Sequence, residues 1–502
     1  MSKAFGISIV RTLREQGHQA YLVGGCVRDL LLGREPADYD VATDATPEQV
    51  MGIFPETYAV GAQFGVVLVP LPQSERGTIP QELPSGAEAL SENFSSTAAL
   101  EALRHPKATE VPSGNASSIA VLEARRHPKA TEATSEIARS NEALRHPKAS
   151  IEDQTAGVTG QTPNLCHSER SSPIRSRIGD TVEEPAFPVR EETTAKEQSQ
   201  PGETEVGHSH KLCVEVATFR RDVGYSDGRH PDEVQFSRDP REDVQRRDFT
   251  INGLLLDPEK NEVLDFVGGQ ADLKAGIIRA IGNPELRFAE DKLRMLRAVR
   301  FAARFEYRID PATFEAIKKL ASQIAQVSRE RVRDELTRML TEGRAKRAFE
   351  LLDESGLLRE VLPEISAMEG VEQPPEFHPE GDVFVHTLLM LKKLPQPCPA
   401  TLAWGVLLHD VGKPPTFRRA PDRIRFDEHA RFGTKMAEAI CRRLRFSNDE
   451  TRQIVGLVEN HMRFGDAERM NPSTFKKFIR LPHFEQHLEL HRLDCESSHR
   501  NL

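Results

Sequence analysis

Two aspartates one residue apart, Asp38 and Asp40 in "DYDVAT", follow "YLVGGCVRDLLLG", an apolar run ending in a glycine pair. On an extended chain positions i and i+2 face the same way, so both carboxylates leave one face of a predicted strand. Carboxylates so placed repel one another unless a cation lies between them. Magnesium takes oxygen ligands and is held by one or two carboxylates plus substrate phosphates. Two such ions can activate an attacking hydroxyl and stabilise a leaving pyrophosphate. Gly24 and Gly25 let the backbone approach a phosphate, the predicted helix after them offers free N–H groups, and Arg28 adds a positive charge. This set suits nucleotidyl transfer from a nucleoside triphosphate. An Asp-x-Asp or a Gly-Gly alone is usually a solvated turn; the combination on strand, turn, helix and strand carries the specificity.

A second set is rich in histidine. "FVHTLLML" holds His386, "LLHDVGK" holds His409 and Asp410, and "LHRLDCESS" holds Asp494. Neutral imidazoles and carboxylates converging from separate helices can hold a hydrolytic metal ion. A single His-Asp dipeptide means little by itself.

The elements that must position these residues follow from periodicity. Phe5, Ile9, Val10 and Leu13 fall at helical spacing and Gly17 closes that helix. "AYLVGG" is a short buried strand running into a turn, "CVRDLLLG" a short helix stopped at Gly33, "DYDVAT" a second strand, "TPEQVMGIF" a helix and "QFGVVLVPL" a third strand. Residues 73–210 lose periodicity; "RHPKAT" occurs at 104–109 and 126–131 and "RHPKAS" at 145–150. The unequal spacings and the lack of an apolar face argue against a solenoid, and the segment reads as a disordered insertion of solvated polar repeats. "KLCVEVATFRRD" at 211–222 alternates as a strand, so "VVLVP" and "CVEVATF" form two arms of one hairpin whose turn the insertion replaces. Residues 284–365 are helical, with "PELRFAEDKLRMLRAVRFAARF" as one continuous helical pattern, and long helical patterns continue from about 370.

Bulk composition bounds the rest. The 502 residues carry a formal net charge of −10, which argues against a chain-wide nucleic-acid-binding coat. Residues 279–350 nevertheless hold 17 Lys/Arg against 11 Asp/Glu, a local +6. That is the footprint of a phosphate-backbone partner, or of a solvated helical face. Six scattered cysteines without a CxxC pair read as reduced thiols. No cleavable apolar leader and no run of about 18 apolar residues is present, so the expectation is a cytoplasmic protein without a membrane span.

"GGCVRDLLLGREPADYDVAT", "RRDFTINGLLLD" at 246–257 and "AEDKLRMLRAVRF" at 289–301 closely resemble, in order, the motifs of the bacterial-type (class II) CCA-adding tRNA nucleotidyltransferase and poly(A) polymerase family. The resemblance covers roughly 1–71 and 211–365. It implies an α+β fold: a polymerase-β-like nucleotidyltransferase head with a small mixed sheet, split as 1–72 and 211–272 around the 73–210 insertion, then an all-α neck and body at 273–365. It further implies that Asp38 and Asp40 hold catalytic Mg2+, that Gly25 and Arg28 touch the triphosphate, that Asp29 meets the ribose, and that Glu215 is a third acidic position on a neighbouring strand. Asp291 and Arg294 share a helix face by spacing, and such a pair is ordinarily a surface salt bridge worth about 0–1 kcal/mol. In the family these two residues read the Watson–Crick edge of the incoming base, a task that arginine donors and carboxylate acceptors can meet for cytosine or adenine. Arg247, Arg297 and Arg300 match further nucleotide-facing positions.

The order His386, His409-Asp410, Asp494, sharpened by "HDVGK", resembles the HD phosphohydrolase domain, here 366–502, with those four as ligands of a divalent metal. His429 and His461 fall where some HD domains hold a second metal; a structural or solvent-exposed histidine is the equal alternative. The implied activity is addition of CCA, or part of it, to tRNA from CTP and ATP, with HD phosphohydrolysis conceivable beside it. Poly(A) polymerase is the alternative within the class, disfavoured because "GAQFGVVLV" is less basic than the polymerases' stretch. A phosphohydrolase with an RNA-binding head is the alternative from another class.

Overall fold

The computed structural model describes residues 3–59, 64–71, 213–225, 231–376 and 378–498. The chain divides into a unit formed by 1–109 with 202–502 and a second of 110–201. The second lies wholly outside the described residues, as do the predicted insertion and its repeats.

The head is a six-stranded sheet in the order β3-β4-β2-β1-β7-β8, built from β1 (Ala20–Val23), β2 (Asp40–Thr43), β3 (Val66–Pro70), β4 (Cys213–Thr218), β7 (Leu254–Asp257) and β8 (Glu262–Asp265). A separate hairpin pairs β5 (Arg220–Val223) with β6 (Glu233–Phe236). The sheet is mixed: β2 runs parallel to β4 and the other neighbours are antiparallel. The two arms flanking the predicted insertion pair in register from Val66↔Ala217 to Pro70↔Cys213, as the expected hairpin requires. Helix Lys3–Glu15 buries Phe5, Ile9, Val10 and Leu13 against this sheet. Helix Pro47–Ile53 starts at a capping box in which Thr46 and Gln49 satisfy each other's backbone N–H groups.

Two sequence expectations are corrected. Strand β2 begins at Asp40, so Asp38 lies just before it, exposed, with Tyr39 turned into the core between the two carboxylates. The predicted continuous helix from Pro284 is two helices, Pro284–Glu290 and Leu293–Phe305. Asp291 is extended (φ −141°, ψ 106°) and its Oδ1 accepts the Leu293 N–H at 3.1 Å. A short aspartate side chain that satisfies an orphan N–H of the next helix competes with helix continuation. Asp291 and Arg294 therefore do not share one helix face.

Helices Pro311–Leu320, Arg329–Thr341 and Ala345–Glu354 continue the neck, and Val383–Lys392, Ala400–Leu408, His429–Arg443, Asn448–Asn460 and Phe484–Ser498 form the C-terminal bundle. One apolar cluster runs without interruption from Phe249 through Trp404 to Leu493, so neck and bundle share a core across residue 365. Trp404 seals the junction, donating its indole N–H to Thr337 Oγ1 at 2.9 Å. Among the described residues Cys26, Cys398, Cys441 and Cys495 are free thiols, and no helix is long and apolar enough to cross a membrane.

Candidate active sites in the head and the C-terminal bundle

Strand β1 ends at Val23, and Gly24 turns the chain with φ 78°, a left-handed conformation that favours glycine. A Cβ there would also stand 3.2 Å from Arg247 Nη1. The turn delivers Gly25 as the first residue of helix Gly25–Leu31, and that helix sets Arg28 beside the Asp40 strand. Asp40 pairs in register with Glu215 on parallel β4, so two carboxylates meet across adjacent strands with Asp38 close by. Burial, reinforced by Glu215 and Asp38 and opposed by Arg247, pushes the Asp40 carboxyl up to about 7. A buried carboxylate with two acidic neighbours is what a bound cation relieves, and this oxygen-only donor set fits magnesium.

Asp40 opens onto a cavity of about 480 Å³. Its wall carries six arginines: Arg28, Arg246, Arg247, Arg294, Arg297 and Arg331. Gly24, Gly25, Asp40 and Asp291 also line it, whereas Asp38 and Arg300 do not. Arg28 is buried; its Nη1 donates to Asn252 Oδ1 at 2.6 Å, its Nε donates to Asp29 Oδ1 at 2.8 Å, and it stacks over Phe305 at 4.7 Å. Asn252 passes the contact on, its Nδ2 donating to Asp248 Oδ1 at 3.0 Å, while Arg297 Nη2 donates to Asp248 Oδ2 at 2.7 Å. Burial would raise the Asp248 carboxyl, but Arg297 and Asn252 outweigh it and hold it at about 2. Arg247 is fixed by buried Asp243 at 2.9 Å.

Asp291 receives Arg331 at 2.8 Å, and Arg294 donates to Glu290 at 2.6 Å and to the Arg246 carbonyl at 3.0 Å. The cavity thus gathers both residues although the helix between them is broken. Arg300 is placed elsewhere: its Nε donates to Glu335 at 2.6 Å inside the neck, both side chains almost fully buried. Arg331, Arg246, Asp248 and Asn252 were not singled out from sequence. The last three sit in or beside the "RRDFTIN" stretch that was quoted, whereas Arg331 lies 40 residues beyond Asp291 with no local signal.

The bundle forms a second cavity, of about 410 Å³, lined in part by His378, Asp410, Lys413, His429, His461 and Asp494. Donor atoms of His386, His409 and Asp494 lie within 4.8 Å of one another, and those of Asp410, His429 and His461 do likewise. His409, His429 and His461 each use Nδ1 on a carbonyl of the preceding turn (Val406, Phe426 and Val458), which leaves Nε2 facing inward. His429 Nε2 and His461 Nε2 stand 3.2 Å apart, 3.6 and 3.8 Å from Asp410 Oδ1. Both histidines line the cavity.

Burial lowers His461 to about 4 and His429 below its usual range, which favours the neutral ring that a metal would need. Burial also opposes charge on His386, but Asp494 and Glu380 raise it to about 9. His409 Nε2 and both His386 nitrogens are buried without an aligned hydrogen bond, although His386 Nε2 is 3.1 Å from Asp494 and His409 Nε2 is 3.0 Å from Asp410. Orphaned imidazole nitrogens facing carboxylates fit a divalent metal. Sequence reasoning missed His378 and Glu380, whose only signal was "FHPEGDVFVH" just upstream of His386.

Fold and sites together describe a mixed-sheet head with an acidic, arginine-walled cavity, joined through a helical neck to a helical bundle with a cavity of histidines and aspartates. Three family models match in that order: the poly A polymerase head domain at 20–81 and 182–279, the probable RNA and SrmB binding site of polymerase A at 306–369, and the HD domain at 383–494. It is 36% identical over 273 residues to the multifunctional CCA protein of Pseudomonas paraeruginosa, covering 51% of this chain and 65% of that one. It is 37% identical over 246 residues to that of Nitrosomonas eutropha, covering 48% and 57%. The chain therefore spans about three fifths of the length of these relatives. Its fold is that of the Bacillus stearothermophilus CCA-adding enzyme solved in complex with CTP (TM-score 0.53, 22% identity, 99% of this chain and 83% of that one).

Proposed function

We propose that the chain adds C and A residues to the 3′ end of tRNA, using CTP and ATP, in the cytoplasm. The observation that carries this reading is one cavity where a Gly-Gly turn, Asp40 paired with Glu215, a ring of arginines and the Asp291/Arg294 pair converge. Arg28, Arg247 and Arg297 hold the triphosphate. Asp291 and Arg294 face the base, the carboxylate accepting and the guanidinium donating. Each arrives with an internal partner, Arg331 and Glu290, so its orientation is set before nucleotide enters. Asp38 and Asp40 would hold Mg2+, which supplies charge neutralisation at the transferring phosphorus and at the leaving pyrophosphate. The basic neck supports a phosphate-backbone partner, and the relatives' name, multifunctional CCA protein, supports tRNA as that partner. The HD cavity, with His386, His409, Asp410 and Asp494 as ligands of a divalent metal, is proposed as a separate phosphoesterase site. The test is incubation with tRNAs ending before A, CA or CCA, with CTP or ATP alone and then together. Addition confined to tRNA and stopping at CCA supports the reading; long A tails with ATP alone would replace it with poly(A) synthesis.

A further inference from the structure

We propose that Arg423 binds the phosphate of the phosphoester that enters the HD cavity, gripping its non-bridging oxygens and so setting the affinity of that site. The inference rests on the phosphoesterase reading of the cavity. A hairpin of Phe417–Arg419 paired with Ile424–Phe426 follows directly on the short helix that begins at Lys413. Arg423 stands at its turn, its carbonyl accepting the Ala420 N–H at 3.0 Å. Arg423, Arg425 and Phe426 line the same cavity as Asp410 and Asp494.

The cations around the cavity differ in what already holds them. Lys413 Nζ donates to Asp410 at 2.7 Å and to Gln373 at 2.6 Å. On the hairpin, Arg418 is taken by Asp427, Arg419 by Glu372 and Arg425 by Asp422, each at 2.7 Å. Of the four hairpin arginines, Arg423 alone has no carboxylate within 4 Å and no side-chain hydrogen bond among the described residues. Its field does reach Asp427, but less than those of Arg418, which already occupies that carboxylate, and Arg425. Arg425 adds a buried Nε that lacks a hydrogen-bond partner. The hairpin therefore brings one uncommitted guanidinium and one spare N–H to the cavity. The carboxylates of Asp410 and Asp494 suit a metal but repel the phosphate that must join it, and a fixed positive charge on the same wall offsets that repulsion. A guanidinium stays charged throughout the working pH range, and its planar fork matches two oxygens of one phosphate. Every phosphoester carries those oxygens, so Arg423 acts on binding and not on the choice of leaving group.

The experiment uses the full chain supplied in turn with Mg2+, Mn2+, Co2+ and Ni2+, with p-nitrophenyl phosphate as substrate and inorganic phosphate as competitive inhibitor. Competition against hydrolysis reads phosphate binding at the HD cavity and not at the arginines of the head. In Arg423→Gln, the KM for p-nitrophenyl phosphate and the Ki of inorganic phosphate should both rise about tenfold, the loss expected for a charge-assisted hydrogen bond. Arg423→Lys should recover part of that rise, since it keeps the charge without the fork. The kcat should change by less than about threefold, because an interaction equal in ground and transition states moves KM alone. Metal per chain, melting temperature and CTP addition should be unchanged. Arg419→Gln, on the same hairpin but outside the cavity lining, should leave KM and Ki within about twofold, as for an exposed ion pair. Unchanged KM and Ki in Arg423→Gln, or equal rises in Arg423→Gln and Arg419→Gln, would overturn the assignment. A KM that rises for a tRNA ending in a 3′-phosphate but not for p-nitrophenyl phosphate would move Arg423 onto the RNA backbone and overturn it as well. Hydrolysis of neither substrate by the wild type with any of these metals would instead refute the phosphoesterase reading, and the proposal with it.

Discussion

Single side chains divide here into those that hold charge for a substrate and those that hold the fold. Asp40 is proposed to be of the first kind: it faces Glu215 on the next strand, and burial beside Glu215 and Asp38 raises its carboxyl. Asp40→Ala should lower CTP addition by at least about 10³-fold while leaving the melting temperature within a few degrees. Substantial Mg2+-dependent addition by that variant would sink the assignment of the head cation. Asp291→Ala and Arg294→Ala should admit UTP or GTP, read as misincorporation on a tRNA ending before CCA; unchanged selectivity at reduced rate would leave them a scaffolding role only. Asp248 belongs to both kinds, bridging Arg297 to the Asn252 that holds Arg28. Its folded carboxyl, at about 2, is below the ordinary aspartate value, so its stabilisation is present at neutral pH and disappears as pH falls through 4 toward 2. That contribution is about 2 kcal/mol. Denaturant unfolding of Asp248→Asn should therefore show a deficit at pH 7 that narrows as pH falls to 3; a deficit independent of pH would contradict the ionic account.

At the scale of elements, two helices are tied by one ion pair and two strands by one register. Arg300 on the Leu293–Phe305 helix meets Glu335 on the Arg329–Thr341 helix with almost no solvent access. Removing one partner strands a buried charge, so Arg300→Ala should cost about 3–5 kcal/mol. The corresponding effect on the KM for CTP, measured at a temperature where the variant is folded, should be small, because Arg300 does not line the nucleotide cavity. The β3–β4 ladder pairs in register from Val66↔Ala217 to Pro70↔Cys213. Deleting residues 75–208 and closing the arms with a short turn should leave the melting temperature equal or higher, since each halving of a loop returns about 0.6 kcal/mol. A fall in stability or in CTP addition would show that the segment contributes packing or substrate contacts.

Across the whole molecule, the two cavities use different donor chemistry, oxygen-only in the head and imidazole with carboxylate in the HD domain. They are built by different elements, although neck and HD domain share one apolar core. His409→Ala combined with Asp410→Ala should abolish metal retention and phosphoester hydrolysis by the HD domain while sparing CTP addition, measured on the same preparation. Loss of both activities together would mean that the shared core couples the sites.

The local order of residues determined a good deal. A glycine turn from a short apolar strand into a helix, a capping box at Thr46 and 3.6-residue periodicity in the first helix are decided within a few residues, and each element formed where its sequence called for it. The ligand order His386, His409-Asp410, Asp494 was legible for the same reason, because it is a pattern along the chain. What only the tertiary structure decided is which side chains become partners. Asp291 interrupts a helix that periodicity carries straight through, and it does so facing Arg331 from a helix 40 residues on. Arg300 matched a nucleotide-facing position by its place in a motif, yet Glu335, 35 residues away, takes its guanidinium. Sequence left His429 and His461 equally open to a second metal or an ordinary histidine role, and it was packing that brought both rings to Asp410 and one Glu380 oxygen within reach of His378 and His386. Periodicity reports which face of an element is buried, but a charge pairs with whatever the fold brings within about 4 Å of it, and that distance is set by contacts between segments remote in sequence.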